Sequence, residues 1–291
     1  MQSLKPSTQW SELTFAVIGL GLIGGSYAKA LRCLGVKKIL GFNRTRSVAQ
    51  QAQNNGLIDI VLEDQDERLK EADALIMAVY PGAIIEFLRK NRQQLKENVL
   101  ITDAAGIKKD LGKTVREVIG ESMEFISGHP MAGRQGNGLE LADEHLFDGA
   151  NYIVVTEDEN SNEAIEWLEA FAKAIGFAHT VRATPTEHDR IIAYTSDLTH
   201  ITAVSLINSV SFNEKTRYFS AGSFRDATRV ADINPSLWSE LFMSNRDEVI
   251  EELDRYIDQL LLWRDALRHQ DVQTMQSMMQ IARDRKRNHS Q

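Results

Sequence analysis

The stretch Phe15-Ala16-Val17-Ile18-Gly19-Leu20-Gly21-Leu22-Ile23-Gly24-Gly25-Ser26 constrains the fold of this chain more than any other. An apolar run enters a G-x-G-x-x-G turn and leaves it on an apolar helix start. Each glycine answers a separate steric demand. Gly19 allows a tight turn off a strand, Gly21 lets backbone come close to a pyrophosphate, and Gly24 lets the helix pack on the strand. The helix start, at Leu22 and Ile23, offers unpaired N–H groups to phosphate oxygens. A second apolar run, Lys38-Ile39-Leu40-Gly41-Phe42, follows at β-α-β spacing. The expectation is a dinucleotide bound near the N-terminus.

Strand and helix patterns alternate from residue 15 to about 183, with apolar runs at Phe15–Leu20, Ile39–Phe42, Ala74–Val79, Val99–Thr102, Phe125–Ser127, Tyr152–Val155 and His179–Val181. This is the pattern of an α/β domain with a largely parallel sheet. Beyond Thr184 the strand patterns stop. Thr184-Pro185-Thr186-Glu187 reads as a capping box with proline at the first helical position. Asn234-Pro235 starts another helix, and Leu237, Leu241, Val249, Leu253, Tyr256, Leu260, Trp263 and Leu267 keep one apolar face in phase. The fold class expected is therefore an α/β Rossmann-type dinucleotide-binding domain over 12–183, followed by an all-α helical domain over 184–291. The second has more apolar stripe than a small bundle buries alone, which points to a homodimer through the C-terminal helices.

The length of 291 residues accommodates two domains and a sizeable core. A net charge of −8 argues against a nucleic-acid surface, so the positive charge needed by an anionic substrate has to be local. The single cysteine, Cys33, excludes an internal disulfide framework and reads as a buried spectator thiol. No run reaches the roughly 18 apolar residues of a membrane span, and the chain reads as cytoplasmic, with no metal called for. The basic run Arg283-Asp284-Arg285-Lys286-Arg287 reads as a solvated helix end.

Which dinucleotide binds depends on the residues after the second strand. An NAD site carries Asp or Glu about 20 residues beyond the glycines to hold the ribose 2′-OH. Here that place is Asn43, followed by Arg44, Thr45 and Arg46. No carboxylate repels a 2′-phosphate and two guanidiniums and a hydroxyl are at hand, so NADP is expected in preference to NAD. Candidate chemistry gathers in three further segments. His129, within Ser127-Gly128-His129-Pro130-Met131-Ala132-Gly133, follows a strand and suits a proton acceptor at a carbon that loses hydride. Asp103, in Thr102-Asp103-Ala104-Ala105-Gly106-Ile107-Lys108, ends another strand where it would line a nicotinamide pocket. Arg225 and Arg229, four apart, aim both guanidiniums the same way, as a substrate carboxylate requires.

These segments closely resemble the prephenate and arogenate dehydrogenase family. The resemblance runs along nearly the whole chain: G-L-G-L-I-G-G-S at 19–26, G-H-P-M-A-G at 128–133, L-F-D-G-A at 146–150, E-H-D-R at 187–190, S-x-L-x-H at 196–200, F-R-D-x-T-R-x-A at 224–231 and N-P-S-L-W at 234–238. It implies a cofactor-binding domain followed by an intertwined helical dimerisation domain, with the active site in the cleft between them. The activity implied is oxidative decarboxylation of prephenate to 4-hydroxyphenylpyruvate in tyrosine biosynthesis, with hydride passing to NAD(P). Arogenate dehydrogenase, or a dinucleotide-binding relative without activity, is the alternative. The resemblance makes His129 the acceptor for the ring 4-hydroxyl, Arg229 the principal carboxylate anchor with Arg225 close by, and His200 a holder of the pyruvyl side chain. Four departures bear on substrate choice. Gly106 stands where many members have serine, Asp197 replaces a histidine and brings an extra carboxylate that would favour an amine-bearing substrate, Thr199 replaces a proline, and Gln135 stands where an acidic or other polar residue often follows.

Overall fold

A computed structural model describes residue 4, residues 9–134 and residues 136–289; Gln135 lies outside the described residues. The chain divides into two compact units, Met1–Asp189 and Arg190–Gln291. In the first, six parallel strands form one sheet: β1 (Thr14–Ile18), β2 (Lys38–Phe42), β3 (Ile60–Val61), β4 (Ala74–Met77), β5 (Leu100–Asp103) and β6 (Glu124–Phe125). Their order is β3-β2-β1-β4-β5-β6. It reverses between β1 and β4, and ligands of such sheets bind at that switch point, outside the carboxyl ends of the strands.

The reason both faces of this sheet are covered is written in β1, all five of whose residues are buried. Side chains alternate across a strand. Phe15 and Val17 therefore enter a core with Tyr27, Leu31, Trp167 and Phe171, while Ala16 and Ile18 enter another with Leu88, Val115 and Ile119. The helices that cover the faces are α1 (Leu22–Leu34), α2 (Arg46–Asn54), α3 (Pro81–Asn91), α4 (Leu111–Ile119) and α5 (Asn162–Ala174). On α5, Trp167 and Phe171 stack one turn apart at 5.4 Å between ring centroids, and Phe15 stacks on both.

A second sheet holds β7 (Ser127–Pro130), β8 (Asn151–Val155) and β9 (His179–Ala183), with β7 antiparallel and β9 parallel to β8. The strand expected at Phe125–Ser127 is thus two strands: the chain leaves the first sheet after Phe125 and enters the second at Ser127. Cys33 is exposed, not buried, on the outer side of α1.

The remaining helices are α6 (Pro185–Ile192), α7 (Leu198–Ile207), α8 (Thr216–Phe219), α9 (Gly222–Thr228), α10 (Pro235–Ser244), α11 (Arg246–Arg268) and α12 (Val272–His289). The capping box at the start of α6 is formed: the Glu187 carboxylate accepts from Thr184 N–H and Oγ1, and Glu187 N–H donates to Thr184 Oγ1. Asn234 caps α10 by accepting from Ser236 and Leu237 N–H. The apolar face expected to run unbroken through this region is interrupted at Asn245, between α10 and α11. Asn245 is 1% exposed and donates its amide to Asp197 Oδ2 at 3.1 Å. Asp197 ends a single π turn, Ala193–Asp197, that joins α6 to α7. No helix among the described residues is long and apolar enough to cross a membrane.

Candidate active site

The glycine turn supplies one half of a cofactor cradle. Gly19 has φ +92°, a left-handed conformation that side chains disfavour. A Cβ on Gly24 would lie 1.7 Å from the Gly19 carbonyl oxygen, so the turn closes only with glycine there. Gly21 differs. It begins α1 without a side-chain cap, its φ of −83° is ordinary, and a Cβ built on it meets nothing within 4 Å. Open space at Gly21, beside the first-turn N–H groups of Leu22 and Ile23, fits a pyrophosphate laid against a helix N-terminus.

Asn43 is partly exposed at the end of β2. Its Oδ1 accepts from Leu20 N–H at 3.0 Å and its Nδ2 donates to the Thr45 carbonyl at 3.1 Å, which ties the end of β2 to the glycine turn. Arg44 and Thr45 are exposed beside it. Arg46 is in an exposed ion pair with Glu63 at 2.6 Å.

Beneath the carboxyl end of β5 lies a buried polar network. Asp103 is fully buried, Lys108 is 1% exposed, and Lys108 Nζ reaches Asp103 Oδ2 at 2.6 Å and the Gly128 carbonyl at 2.7 Å. Asp103 also accepts from Ser127 Oγ at 2.6 Å, Gly128 N–H at 3.3 Å and Ala105 N–H at 2.9 Å. Asp103 therefore has no surface to offer a cofactor, contrary to expectation; it is the strut that joins β5 to β7. Burial pushes the Lys108 ammonium down from its ordinary range while Asp103 pulls the other way. Gly128 has no room for a side chain, since a Cβ would lie 1.9 Å from the Tyr152 hydroxyl.

His129 sits on β7 directly after this strut and is half-buried. Burial, then the positive charge of Lys108, then His188 hold its imidazole well below the ordinary histidine range, so it is neutral and ready to accept a proton. His129 Nδ1 lies 2.8 Å from His188 Nε2, and His188 Nδ1 lies 2.6 Å from Asp189 Oδ1. Asp189 also accepts from the backbone N–H groups of Lys108, at 2.9 Å, and Lys109, at 2.7 Å. His188 and Asp189 are each 2% exposed. Sequence reasoning gave these two no role. The signal available was that E-H-D-R occupies the first turns of a helix whose start a capping box fixes.

In the helical unit, the turn Arg229–Ala231 packs on α7, which carries His200. The His200 ring lies 3.7 Å from that of Trp238, centroid to centroid, and His200 Nδ1 donates to the Ser196 carbonyl at 2.8 Å. Burial lowers the His200 pKa; the Ser196 carbonyl opposes the fall and the Arg229 charge adds to it. Arg225 stands exposed on the last turn of α9. Asp197 is 2% exposed and hydrogen-bonded to Asn245, so its carboxylate is used inside the helical bundle and is not an open charge for a substrate amine.

A parallel sheet of this order, a glycine turn against a bare helix N-terminus and a neutral histidine near the carboxyl end of the sheet define a dehydrogenase that uses a nicotinamide dinucleotide. Comparison with known proteins agrees. Residues 27–181 match the family described as prephenate dehydrogenase, nucleotide-binding domain, and residues 184–281 match prephenate dehydrogenase, dimerization domain. The chain belongs to the prephenate dehydrogenase family. It is 30% identical over 277 residues to the prephenate dehydrogenase of Bacillus subtilis, covering 93% of this chain and 74% of that relative. It is 32% identical over 263 residues to the cyclohexadienyl dehydrogenase of Zymomonas mobilis, covering 88% and 89%. In fold it is similar to the crystal structure of prephenate dehydrogenase from A. aeolicus in complex with hydroxyphenyl propionate and NAD+, with TM-score 0.86, 23% identity and coverage of 96% and 99%.

Proposed function

We propose that this protein is an NAD(P)-dependent prephenate dehydrogenase that converts prephenate to 4-hydroxyphenylpyruvate with loss of CO2. The observation that carries the reading is the half-buried, neutral His129 at the end of the Asp103–Lys108 strut, in a chain of this family. A nicotinamide, when bound, supplies the acceptor for the hydride that leaves C4 of the ring. His129 takes the proton of the 4-hydroxyl, and the ring carboxylate departs as the ring becomes aromatic. Aromatisation makes the step strongly downhill, so the protein contributes mainly orientation and charge complementarity. Arg229, with Arg225 four residues before it, anchors substrate carboxylate, and His200 holds the side chain.

A second reading, arogenate, rests on His200. The Ser196 carbonyl can only accept, so Nδ1 carries the proton and Nε2 of the neutral ring is an acceptor. An acceptor there suits an amine donor better than a keto oxygen. Exposed Arg44 and Thr45 support NADP over NAD. The pairing of Arg46 with Glu63 weakens that preference. The helical unit serves as the dimer contact; Ile250, Ile257, Leu260 and Leu267 expose a stripe along α11 in support. The test is the rate of reduced-cofactor formation with prephenate and arogenate, each with NADP and NAD. A fast reaction with one pair identifies substrate and cofactor together, and no reaction with any pair, from protein that still binds dinucleotide, refutes the reading.

A further inference from the structure

We infer that His188 and Asp189 are positioning residues for His129: a carboxylate–imidazole–imidazole chain sets which nitrogen of His129 stays open to accept a proton. The inference rests on the reading of His129 as the base. Asp189 is the end of the chain that has no choice. Its carboxylate already accepts from the N–H groups of Lys108 and Lys109, and it meets His188 Nδ1 at 2.6 Å. A carboxylate only accepts, so His188 Nδ1 carries the proton. His188 is neutral, because burial lowers its affinity for a second proton more than Asp189 raises it, with Lys108 lowering it further. Its Nε2 is then a lone pair. His129 Nδ1, 2.8 Å away, must donate to it, and that leaves His129 Nε2 without hydrogen.

When His129 Nε2 takes the hydroxyl proton, the new positive charge faces His188 Nε2, and behind it stands Asp189. The Nδ1 proton of His129 shifts toward His188 without leaving the chain, and the charge ends beside a carboxylate in a site where Lys108 would otherwise repel it. The charged groups facing the two rings are Lys108, Asp103 and Asp189.

Asp189→Asn reverses the chain. With the amide oxygen in the place of Oδ2 it keeps Lys109 N–H and the longer Lys108 N–H contact, at 3.2 Å, while the NH2 in the place of Oδ1 donates to His188 Nδ1, so His188 carries its proton on Nε2 and donates to His129 Nδ1. His129 Nε2 is then protonated and no longer a base. The expected result is a fall in kcat of about 1,000-fold, with KM for prephenate within about threefold and dinucleotide affinity unchanged. His188→Phe lowers kcat by about 100-fold, and His188→Gln, whose Oε1 accepts from His129 Nδ1, restores it to within about tenfold of the parent protein. Nitrogen-15 NMR of histidine-labelled protein reads the tautomer directly: Nδ1–H on His129 in the parent and Nε2–H in Asp189→Asn. The inference is overturned if His129 keeps Nδ1–H in Asp189→Asn, or if Asp189→Asn and His188→Phe turn over within threefold of the parent while His129→Ala is inactive. Full turnover by His129→Ala refutes the base assignment instead, and the NMR tautomers then decide the chain separately.

Discussion

Gly21 and Gly24 look alike in the sequence, yet the structure assigns them opposite failures on conversion to alanine. At Gly24 the new Cβ would lie 1.7 Å from the Gly19 carbonyl oxygen and 3.0 Å from the Ala78 Cβ. To reach even a close C–H···O contact of about 3.3 Å it must retreat by about 1.6 Å. Backbone resists on one side and Ala78, just beyond the end of β4, stands on the other, so Gly24→Ala should cost about 1–3 kcal/mol of stability. At Gly21 the Cβ meets nothing, and φ −83°, ψ −154° is extended backbone open to alanine. Gly21→Ala should fold normally and melt at or slightly above the parent, by up to about 1 kcal/mol, because alanine reduces the freedom of the unfolded chain. Its methyl occupies the space where the pyrophosphate would lie. An overpacking cost of about 1–3 kcal/mol there weakens dinucleotide binding by about 5- to 150-fold. Thermal melts of the free protein and fluorescence titrations with NAD and NADP test both. Parent-like cofactor affinity in Gly21→Ala, together with a parent-like melt in Gly24→Ala, would refute the cradle.

Three other outcomes are expected. Lys108→Met leaves Asp103 buried without its cation and should lower stability by about 3–5 kcal/mol in urea titration, and a loss below about 1 kcal/mol would contradict the strut. His129 acts as the neutral ring, and burial with Lys108 pushes its proton affinity down. kcat/KM should therefore hold level as pH falls from 7 to 6.5 and drop only at lower pH; a half-maximal point at or above pH 6.5 would show the opposite sign. Glu63→Ala releases Arg46 from its exposed partner and should tighten NADP by about twofold to fivefold while leaving NAD unchanged, measured by titration; equal changes for both would exclude Arg46 from the 2′-phosphate.

Local signals in the chain proved the most legible. A capping box spans four residues and a proline at N1 needs no distant partner, so the starts of α6 and α10 were readable from sequence. The strand core was readable because β1 is buried on both faces and its apolar run is unbroken. Two-residue strands carry no period, which hid β3 and the change of sheet between Phe125 and Ser127. Asp197 was misread for a different reason. It was read from the S-x-L-x-H motif alone, and its partner Asn245 lies 48 residues further on, where no local signal joins the two. Of the candidate site, the turn glycines and His129 announce themselves by motif. Asp103 does so only as a residue at a strand end, a place that suits a pocket wall and a buried strut equally. The partners His129 and His188 are 59 residues apart, and no spacing rule connects them.

The way the chain is divided has a bearing on its descent. The two family domains meet at residues 182–183, between the matched ranges 27–181 and 184–281. The first compact unit nevertheless extends to Asp189 and takes His188 with it. Recombination at the family seam would hand the α/β fold a foreign helix start, and with it foreign neighbours for His129 and for the loop that holds Lys108. Inheritance of the two halves is thereby coupled: a lineage that borrowed a new helical domain would also have borrowed the groups beneath its own histidine.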